Sequence, residues 1–546
     1  AIAAVSSYLA ERSMVTQGAP PASYKSLSKD RRGLLRFSVS GNRYAGMGAL
    51  LMQYPSPYLA GAGDPLRLAR AEGSVVPAEQ AVGTVAARIQ ADLDRLAVAT
   101  DPARSRRDPR WYWAAVGLLD AANHPGLMDW LEDPSENGLS GVTRQASHRE
   151  DASGFEKVVE RFVTFVKSPA PLGAPPDDLA EVLARVALGA PGVCALRALG
   201  RQVPGAGPTD PDVLRAAAAI GEGFRTLFNL PETMGLLGAF ERHRAAGDDE
   251  EDDHYWRRCV DHGLEGNLQA VLDEQAHVLR ESLGLSGDDR SVDEVVHGIA
   301  GDLSDALSVR TANVFAEELR RAEGPDSAGW IHRDHDALAF RTRFGLRLGE
   351  LREDDKRTHR IDTVRKAFNS PFRPFLLAST SVGQEGLDFH TWCHVIYHWN
   401  LPGNPVDMEQ REGRVHRYKG LAVRRNIARA FRTGVLRGDW DGVGDPWSWM
   451  FDRARDERDA ELDDLVPFWL FTDVPDGAPT AVERRVPIVP LSREAQRYQA
   501  LKRSLVLYRL AFGQPRQDDL VNWLQQQLGD EAAGLVEGWR IDLRAP

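Results

Sequence analysis

One stretch of the chain, from Ser379 to Gly420, constrains its fold more than any other part of the sequence. It begins at the end of a short apolar run, RPFLLAST, which predicts a buried strand, and continues through a glycine-rich turn to a second apolar run, CHVIYHWN. Asn404 and Pro405 then form an N-cap and first-turn pair, which predicts a helix through PVDMEQREGRVHRY. A strand, a turn, a strand and a helix in this order are typical of a parallel α/β sheet.

The turn after the first apolar run carries groups that suit phosphate. Gly383 and Gly386 predict a tight loop, and Asp388 follows it, where its carboxylate can accept a hydrogen bond from a ribose hydroxyl. Exposed hydroxyls and backbone N–H groups in such a loop bind phosphate oxygens. Three hydroxyl residues stand at the end of the run: Ser379, Thr380 and Ser381.

Three arginines follow on the predicted helix. Arg411, Arg414 and Arg417 are spaced three apart, so they share one side of a helix. A row of Arg is costly to hold close unless it meets acid or phosphate. The sequence leaves two interpretations of this row: a phosphate-binding face, or a solvated face with ion pairs to Glu409 and Glu412.

The two segments together resemble motifs V and VI of superfamily 2 helicases and translocases. GQEGLDF is similar to the motif V loop, in which a Thr eight residues before the Asp touches the nucleic-acid backbone, and Thr380 and Asp388 have that spacing. QREGRVHR is similar to motif VI, QxxGRxxR, whose arginines reach the ATP γ-phosphate. The order and separation of the two motifs favour the phosphate-binding interpretation of the arginines.

The resemblance implies a role for each matching residue. The catalytic arginines, which stabilise charge on the transferred phosphoryl group, are Arg414 and Arg417. The ATP-binding positions are Gly386, Asp388, Gln410 and Gly413. The nucleic-acid-binding positions are Ser379, Thr380, Ser381 and Arg411.

Within the superfamily, the segment is most similar to Swi/Snf-type ATPases, and among these to the bacterial subgroup that recycles RNA polymerase. The matching pieces are SVGQEGLDF, LPGNP and MEQREGR, whereas RYKG stands where the subgroup has R-I-G-Q. The resemblance implies an α/β RecA-like helicase C-terminal lobe with a parallel sheet. This lobe follows a large, mostly α-helical region and precedes a helical C-terminal extension.

Half of such a motor is not visible in the sequence. No GxxxxGK[ST] loop occurs, since GAPGVCALRALG lacks the Lys and the hydroxyl residue. VLDEQAH imitates an acidic DExx box, but its apolar residues recur at helical spacing, which predicts an ordinary amphipathic helix. We therefore expect ATP and Mg²⁺ to be held mainly by a first lobe, either upstream in the same polypeptide or on another chain. A start without Met is consistent with an upstream part.

These patterns divide the chain into four predicted segments. Residues 1–100 are a helical linker from the first motor lobe, and residues 101–294 are a helical insertion. Residues 295–440 are the RecA-like lobe with motifs V and VI, and residues 441–546 are a C-terminal extension. In the extension, Phe468, Trp469 and Phe471 are interpreted as core residues or as a docking surface.

The composition limits the partners and the cellular compartment that we expect for this chain. The net charge is −12, which argues against a basic nucleic-acid coat, although a local patch can override this balance. Four arginines of one predicted helix form either a further basic face for phosphate or an ordinary solvated face: Arg424, Arg425, Arg429 and Arg432. Three scattered cysteines indicate a reducing compartment, and no run of about 18 apolar residues exists, so we expect a cytoplasmic protein without membrane contact. We expect no metal site among the histidines of the motif region: His390, His394, His398 and His416.

Two functions remain open at this stage. The first is the C-terminal half of an ATP-dependent helicase or translocase that moves on duplex DNA and holds protein partners through its helical region. Fold-level analogy adds a role in bacterial antiphage defence. The second is a non-hydrolysing scaffold with a degenerate RecA-like lobe in a nucleic-acid-associated complex.

Overall fold

The computed structural model divides the chain into two compact units. It describes residues 35, 37, 46–96, 107–135, 137–144, 149–230, 233–234, 237, 255–287, 289–307, 312–316, 319–321, 330–332, 338–342, 365–372, 376–378, 388–488, 491–510, 523 and 526–527. Unit 1 comprises residues 1–346, 359–376 and 433–447, and unit 2 comprises residues 347–358, 377–432 and 448–546.

Unit 1 is built mainly from helices. In chain order the first seven are α1 (Met47–Gln53), α2 (Pro57–Ala62), α3 (Pro65–Glu72), α4 (Ala78–Leu93), α5 (Trp111–Asn123), α6 (Leu127–Glu132) and α7 (Arg149–Lys167). A 3₁₀ helix, Leu139–Arg144, precedes α7. The next six are α8 (Leu179–Gly189), α9 (Pro191–Gln202), α10 (Pro211–Phe228), α11 (Tyr255–Glu265), α12 (Leu268–Ser282) and α13 (Val292–Leu307).

Amphipathic periodicity explains how these helices pack. In α4, Val82, Val85 and Ile89 recur at spacings of three and four, and all three are buried. One continuous apolar core extends from Leu35 to Leu307. The core therefore includes described residues on both sides of position 100. The division into a linker, residues 1–100, and an insertion, residues 101–294, stays a prediction.

Close packing at the centre of unit 1 requires glycine. Gly192 of α9 and Gly221 of α10 both face the backbone of Gln53. A Cβ would lie 2.3 Å from the Gln53 carbonyl oxygen at Gly192, and 2.8 Å from the Gln53 Cα at Gly221. Both distances are too short for any side chain, so α9 and α10 can approach α1 only with glycine at these positions.

Both segments that imitate nucleotide-binding motifs lie in these helices. GAPGVCALRALG runs from the end of α8 through α9, and VLDEQAH lies within α12, as its periodicity predicts. The acid of VLDEQAH, Asp273, is buried and pairs with Arg201. Asp273 is therefore part of the internal structure of the helical core.

The described residues of unit 1 also include four short strands. They are β1 (Ala312–Ala316), β2 (Leu319–Arg321), β3 (Trp330–His332) and β4 (Leu338–Thr342). β1 pairs with β4 and β2 with β3, both antiparallel. These described strands lie within 295–440 and differ from the all-parallel sheet predicted there.

The elements that follow alternate between helices and two short strands. A helical turn covers residues 365–368, and β5 (Val395–Tyr397) forms within CHVIYHWN as predicted. The rest are α14 (Pro405–Gly413), α15 (Leu421–Arg437), α16 (Pro446–Asp456), β6 (Glu483–Arg485) and α17 (Glu494–Leu510). The predicted strand RPFLLAST is wrong at residues 376–378, which are not in a strand; Leu376 there is 44% exposed.

Unit 2 contains a small parallel sheet. β5 pairs with β6 in parallel, with Ile396 opposite Arg484. Below it, α14 and α17 pack around a small core of Leu401, Met408, Leu501 and Leu505. The parallel partner of β5 thus comes from the region predicted to be an extension of the lobe.

No described helix is by itself both long and apolar enough to cross a membrane. The bent pair of α8 and α9 meets the length and composition criteria only when its two helices are taken together. Most of the residues of both helices are buried in the core of unit 1, as expected of core helices in a folded domain.

Candidate functional site

The helix that carries the predicted motif VI begins as expected and ends early. The Asn404 side-chain oxygen accepts a hydrogen bond from the Asp407 N–H at 2.8 Å, and Pro405 occupies the first turn. The helix α14 ends at Gly413, not at Tyr418. The prediction that three arginines share one helix face is therefore wrong.

A backbone contact explains this early end. The Phe389 N–H donates to the Arg414 carbonyl at 2.8 Å, so this carbonyl bonds outside the helix. Gly413, a poor helix former, stands just before it. Of the three arginines, only Arg411 lies in the helix; Arg414 is its C-cap and Arg417 lies in the following turn.

This backbone hydrogen bond and a neighbouring ion pair join the two predicted motifs. Asp388, from motif V, accepts a hydrogen bond at its Oδ1 from the Arg417 Nε at 3.0 Å. Both side chains are partly exposed, at 49% for Asp388 and 36% for Arg417. Together with the Phe389–Arg414 hydrogen bond, this ion pair places the end of motif V beside the end of motif VI.

The two predicted catalytic arginines differ in their surroundings. The Arg417 guanidinium is engaged by Asp388. The partly buried Arg414 makes no side-chain hydrogen bond or ion pair to any residue that the structure describes. Arg414 is therefore the arginine whose donors are available for a phosphate group.

The remaining predicted residues of motif VI have separate environments. Arg411 is directed away from the pair, since its Nη1 donates to the Asn400 carbonyl at 2.9 Å. Gln410 is exposed, and an added Cβ at Gly413 would meet only the Arg417 guanidinium, at 4.0 Å. The other predicted positions, Ser379, Thr380, Ser381 and Gly386, lie outside the described residues.

Glu412 has a role that the sequence did not indicate. Its carboxylate accepts two hydrogen bonds from Arg484 of β6, at 2.5 and 2.6 Å, and lies 3.0 Å from the Nε2 of the buried His398. The alternative interpretation, a solvated face with ion pairs between Glu412 and the helix arginines, therefore does not hold for Glu412. Burial raises the pKa of this carboxyl, but the hydrogen bonds from His398 and Arg484 outweigh burial and hold the pKa at about 2.

His390 lies next to the motif V acid and is mostly buried. Burial lowers its pKa to about 4, against an opposing effect of Asp388 and with a further lowering by Arg424 and Arg417. The imidazole is therefore neutral near pH 7. A neutral ring adds no positive charge to the site, where the charges come from Arg414, Arg417 and Asp388.

The predicted basic patch on α15 is wrong in part. Arg424 is fully buried and donates to the carbonyls of Thr391 and Lys419. The Arg429 guanidinium donates to the carbonyls of Asp476 and Ala478. Arg425 and Arg432 remain exposed, so α15 does not present a continuous row of four available cations.

The aromatic run of the C-terminal region packs within unit 2. Phe471 is buried and contacts Phe431, with 5.9 Å between ring centroids. Phe468 stacks on Tyr418 at 5.6 Å and on Phe451 at 6.1 Å. These contacts support the core interpretation of the run over a docking surface.

One group of possible metal ligands occurs among the described residues, away from the motifs. Asp212, Asp293 and His297 offer ligand atoms within 4.8 Å of one another. Arg215 donates to both carboxylates, at 3.0 and 3.1 Å, so their charge is already matched. We assign no metal to this group.

The comparison with known families agrees with the motifs. Residues 314–419 match the family described as the helicase conserved C-terminal domain. The match supports a C-terminal lobe of the superfamily 2 helicase type in this part of the chain. Searches of curated proteins and of solved structures found no match to this chain.

Proposed function

We propose that this chain is the C-terminal half of an ATP-dependent, Swi/Snf-like DNA translocase or helicase with a RecA-like second lobe. One observation carries the proposal: the Phe389–Arg414 hydrogen bond and the Asp388–Arg417 ion pair join motifs V and VI at one place. A motor of this class couples a nucleic-acid contact to a phosphate contact, and these two bonds connect the two motifs.

In this proposal Arg414 donates to the phosphate groups of ATP, because its guanidinium has no described partner. Arg417 is positioned by Asp388 and adds positive charge beside it. Arginine suits this task, since its planar fork matches phosphate oxygens and it stays charged. Mg²⁺, when bound, neutralises charge on the transferred phosphate. Among the described residues of this site, no carboxylate is free to bind the metal ion. We expect the metal ligands on the first lobe.

The first experiment measures ATP hydrolysis with and without duplex DNA. It compares this chain alone with the complete native gene product or complex. We expect the assembly to be active and stimulated by DNA, and the chain alone to be silent.

Arg414→Ala in the complete assembly should lower turnover by about 10³-fold or more, because it removes charge stabilisation of the transferred phosphoryl group. Arg497→Ala is the matched control, since Arg497 is an exposed arginine of the same unit. Equal activity of the two variants would refute the role of Arg414.

The scaffold function is the second candidate. It is favoured by the sequence, which contains no GxxxxGK[ST] loop to hold ATP phosphates. A complete assembly that binds DNA but hydrolyses no ATP would support the scaffold and reject the motor.

A further inference from the structure

Unit 1 contains a cavity that the proposed motor does not use. Its volume is about 870 Å³, within the range of small-molecule sites, which is about 300–1,000 Å³. Its walls come from α2, α3, α4, α9, the end of α5, the start of α10 and the loop before α10. All of its lining residues belong to unit 1, so the cavity is formed by the helical unit itself.

The lining carries an excess of positive charge. Two carboxylates line the cavity, and both are already paired: Asp64 with Arg201 at 2.7 Å, and Asp92 with Arg95 at 2.7 Å. Arg67 and Arg88 also line it. Both are exposed, and neither makes an ion pair or a side-chain hydrogen bond among the described residues. Their two charges are therefore available to a ligand.

A third arginine is built into the wall. Arg197 is only 7% exposed, and its guanidinium donates to the Gln269 side-chain oxygen at 2.6 Å and to the Ala187 carbonyl at 2.8 Å. These hydrogen-bond acceptors are neutral, and the Asp64 carboxylate, which also attracts Arg197, is ion-paired with Arg201. A buried cation held in this way adds to the positive potential of the cavity.

Small residues keep the cavity open. Gly61 and Gly200 stand in the last turns of α2 and α9, and an added Cβ at either would meet no atom within 4 Å. Glycine in a helix costs about 0.5–1 kcal/mol relative to alanine, and packing does not require it here. Gly83 of α4 does not line the cavity, and an added Cβ there would also meet no atom within 4 Å. The free space at Gly61 and Gly200 is therefore not evidence for the site, but it allows the site to be tested by substitution.

We propose that this cavity binds a phosphorylated small molecule of about nucleotide size. Arg67 and Arg88 donate to its phosphate oxygens, and Arg197 supplies positive potential from the wall. Two guanidinium groups without carboxylate partners match a multiply charged phosphate better than a single carboxylate. The proposal does not depend on the motor function.

The test is calorimetric titration of the full chain with ATP and, separately, with inorganic pyrophosphate. We expect at least one of them to bind, and Arg67→Ala and Arg88→Ala each to weaken binding by about tenfold. Arg290→Ala, an exposed arginine of unit 1 outside the cavity, is the control. Arg414→Ala should leave this binding unchanged, which separates the cavity from the motif site.

A second pair of variants separates binding from folding. Gly200→Ala and Gly83→Ala should both keep or raise thermal stability, because alanine favours helix. Only Gly200→Ala should weaken binding, since its methyl group borders the cavity.

The proposal is overturned by no binding of either probe at millimolar concentration, by binding that is insensitive to Arg67 and Arg88, or by equal binding by the two glycine variants. A single-stranded oligonucleotide that binds through Arg67 and Arg88 while both small probes fail would also overturn it. That result would assign the surface to nucleic acid.

Discussion

The two units of this chain are stabilised in different ways. Unit 1 has one continuous apolar core made from side chains of many helices. Among the described residues of unit 2, the cluster between α14 and α17 has four apolar residues, and other apolar side chains, such as Phe451 and Phe471, are buried elsewhere in the unit. Polar contacts between distant residues add to this packing, such as Glu412 with Arg484 and Phe389 with Arg414.

The cysteines allow the two units to be followed separately. Cys194 and Cys259 are fully buried in unit 1, and Cys393 is partly buried in unit 2. A short pulse of a thiol reagent at one fixed pH, after equilibration in denaturant, reports the unfolding of each unit by mass spectrometry. The following predictions use this measurement.

The largest effect is expected from Phe162→Ala in unit 1. Phe162 is fully buried and contacts Tyr54, with ring centroids 5.2 Å apart. The free energy of unfolding should fall by about 3–5 kcal/mol, because a cavity replaces the ring. Cys194 and Cys259 should become reactive at lower denaturant, whereas Val75→Ala, at a 75% exposed position, should change little. A loss below about 1 kcal/mol would contradict a tightly packed core.

The next prediction is that acid affects the two units in opposite directions. Burial raises the pKa of Asp120 in unit 1 from 3.8 to about 7, so between these values the folded unit holds a proton that the unfolded chain releases. This group therefore makes unit 1 less stable as pH rises. Burial lowers the pKa of His390 in unit 2 from 6.5 to about 4, so the unfolded chain takes up a proton first and unit 2 loses stability as pH falls.

Two variants test this difference. Asp120→Asn should flatten the pH dependence of Cys194 protection between about pH 4 and 7, and His390→Gln should do the same for Cys393. Each variant should leave the profile of the other unit unchanged. Unchanged profiles in both units would show that these groups do not control the acid response.

A moderate effect is expected from Glu412→Gln. The change removes a charged hydrogen-bond acceptor from Arg484 and should lower the stability of unit 2 by about 2 kcal/mol, read from Cys393. The pKa of Glu412 is lowered from 4.5 to about 2, so its contribution is present above pH 4.5 and is lost as pH falls towards 2. Glu461→Gln, at an exposed position, is the control. An equal effect of both variants would show that the contact between Glu412 and Arg484 does not stabilise unit 2.

The smallest effect is expected from Asp388→Asn. The Asp388–Arg417 ion pair is half exposed, so its loss should cost about 1 kcal/mol or less and should matter less at high salt. Denaturation of unit 2 at low and high ionic strength measures this, with Asp473→Asn at an exposed position as control. A large, salt-independent loss would mean that Asp388 does more than hold Arg417.

The sequence predicted the features that depend on neighbouring residues. The spacing of Val82, Val85 and Ile89 predicted the buried face of α4, and Asn404 predicted the start of α14. Regular spacing and cap chemistry are local properties, which explains these successes. Motif spacing also singled out Asp388 and Arg417, which form an ion pair, whereas their roles in a site stay a prediction.

The failures come from contacts between distant residues. The end of α14 depends on Phe389, and the partner of Glu412 is Arg484, 72 residues away. The strand β6 reads ERR, which carries no alternation of apolar and polar residues, so its pairing with β5 has no local signal. The missed helix end also explains why Arg414 and Arg417 have different surroundings.

The order of synthesis gives these distant contacts a further consequence. His277 pairs with Asp445, 168 residues later in the chain, and β5 acquires its parallel partner only when β6 has been made. Contacts of such long sequence separation form late, because the chain must first close large loops. A nascent chain that stops at residue 440 would leave His277 without Asp445 and β5 without β6, so both units acquire these contacts only when residues 441–485 have been made.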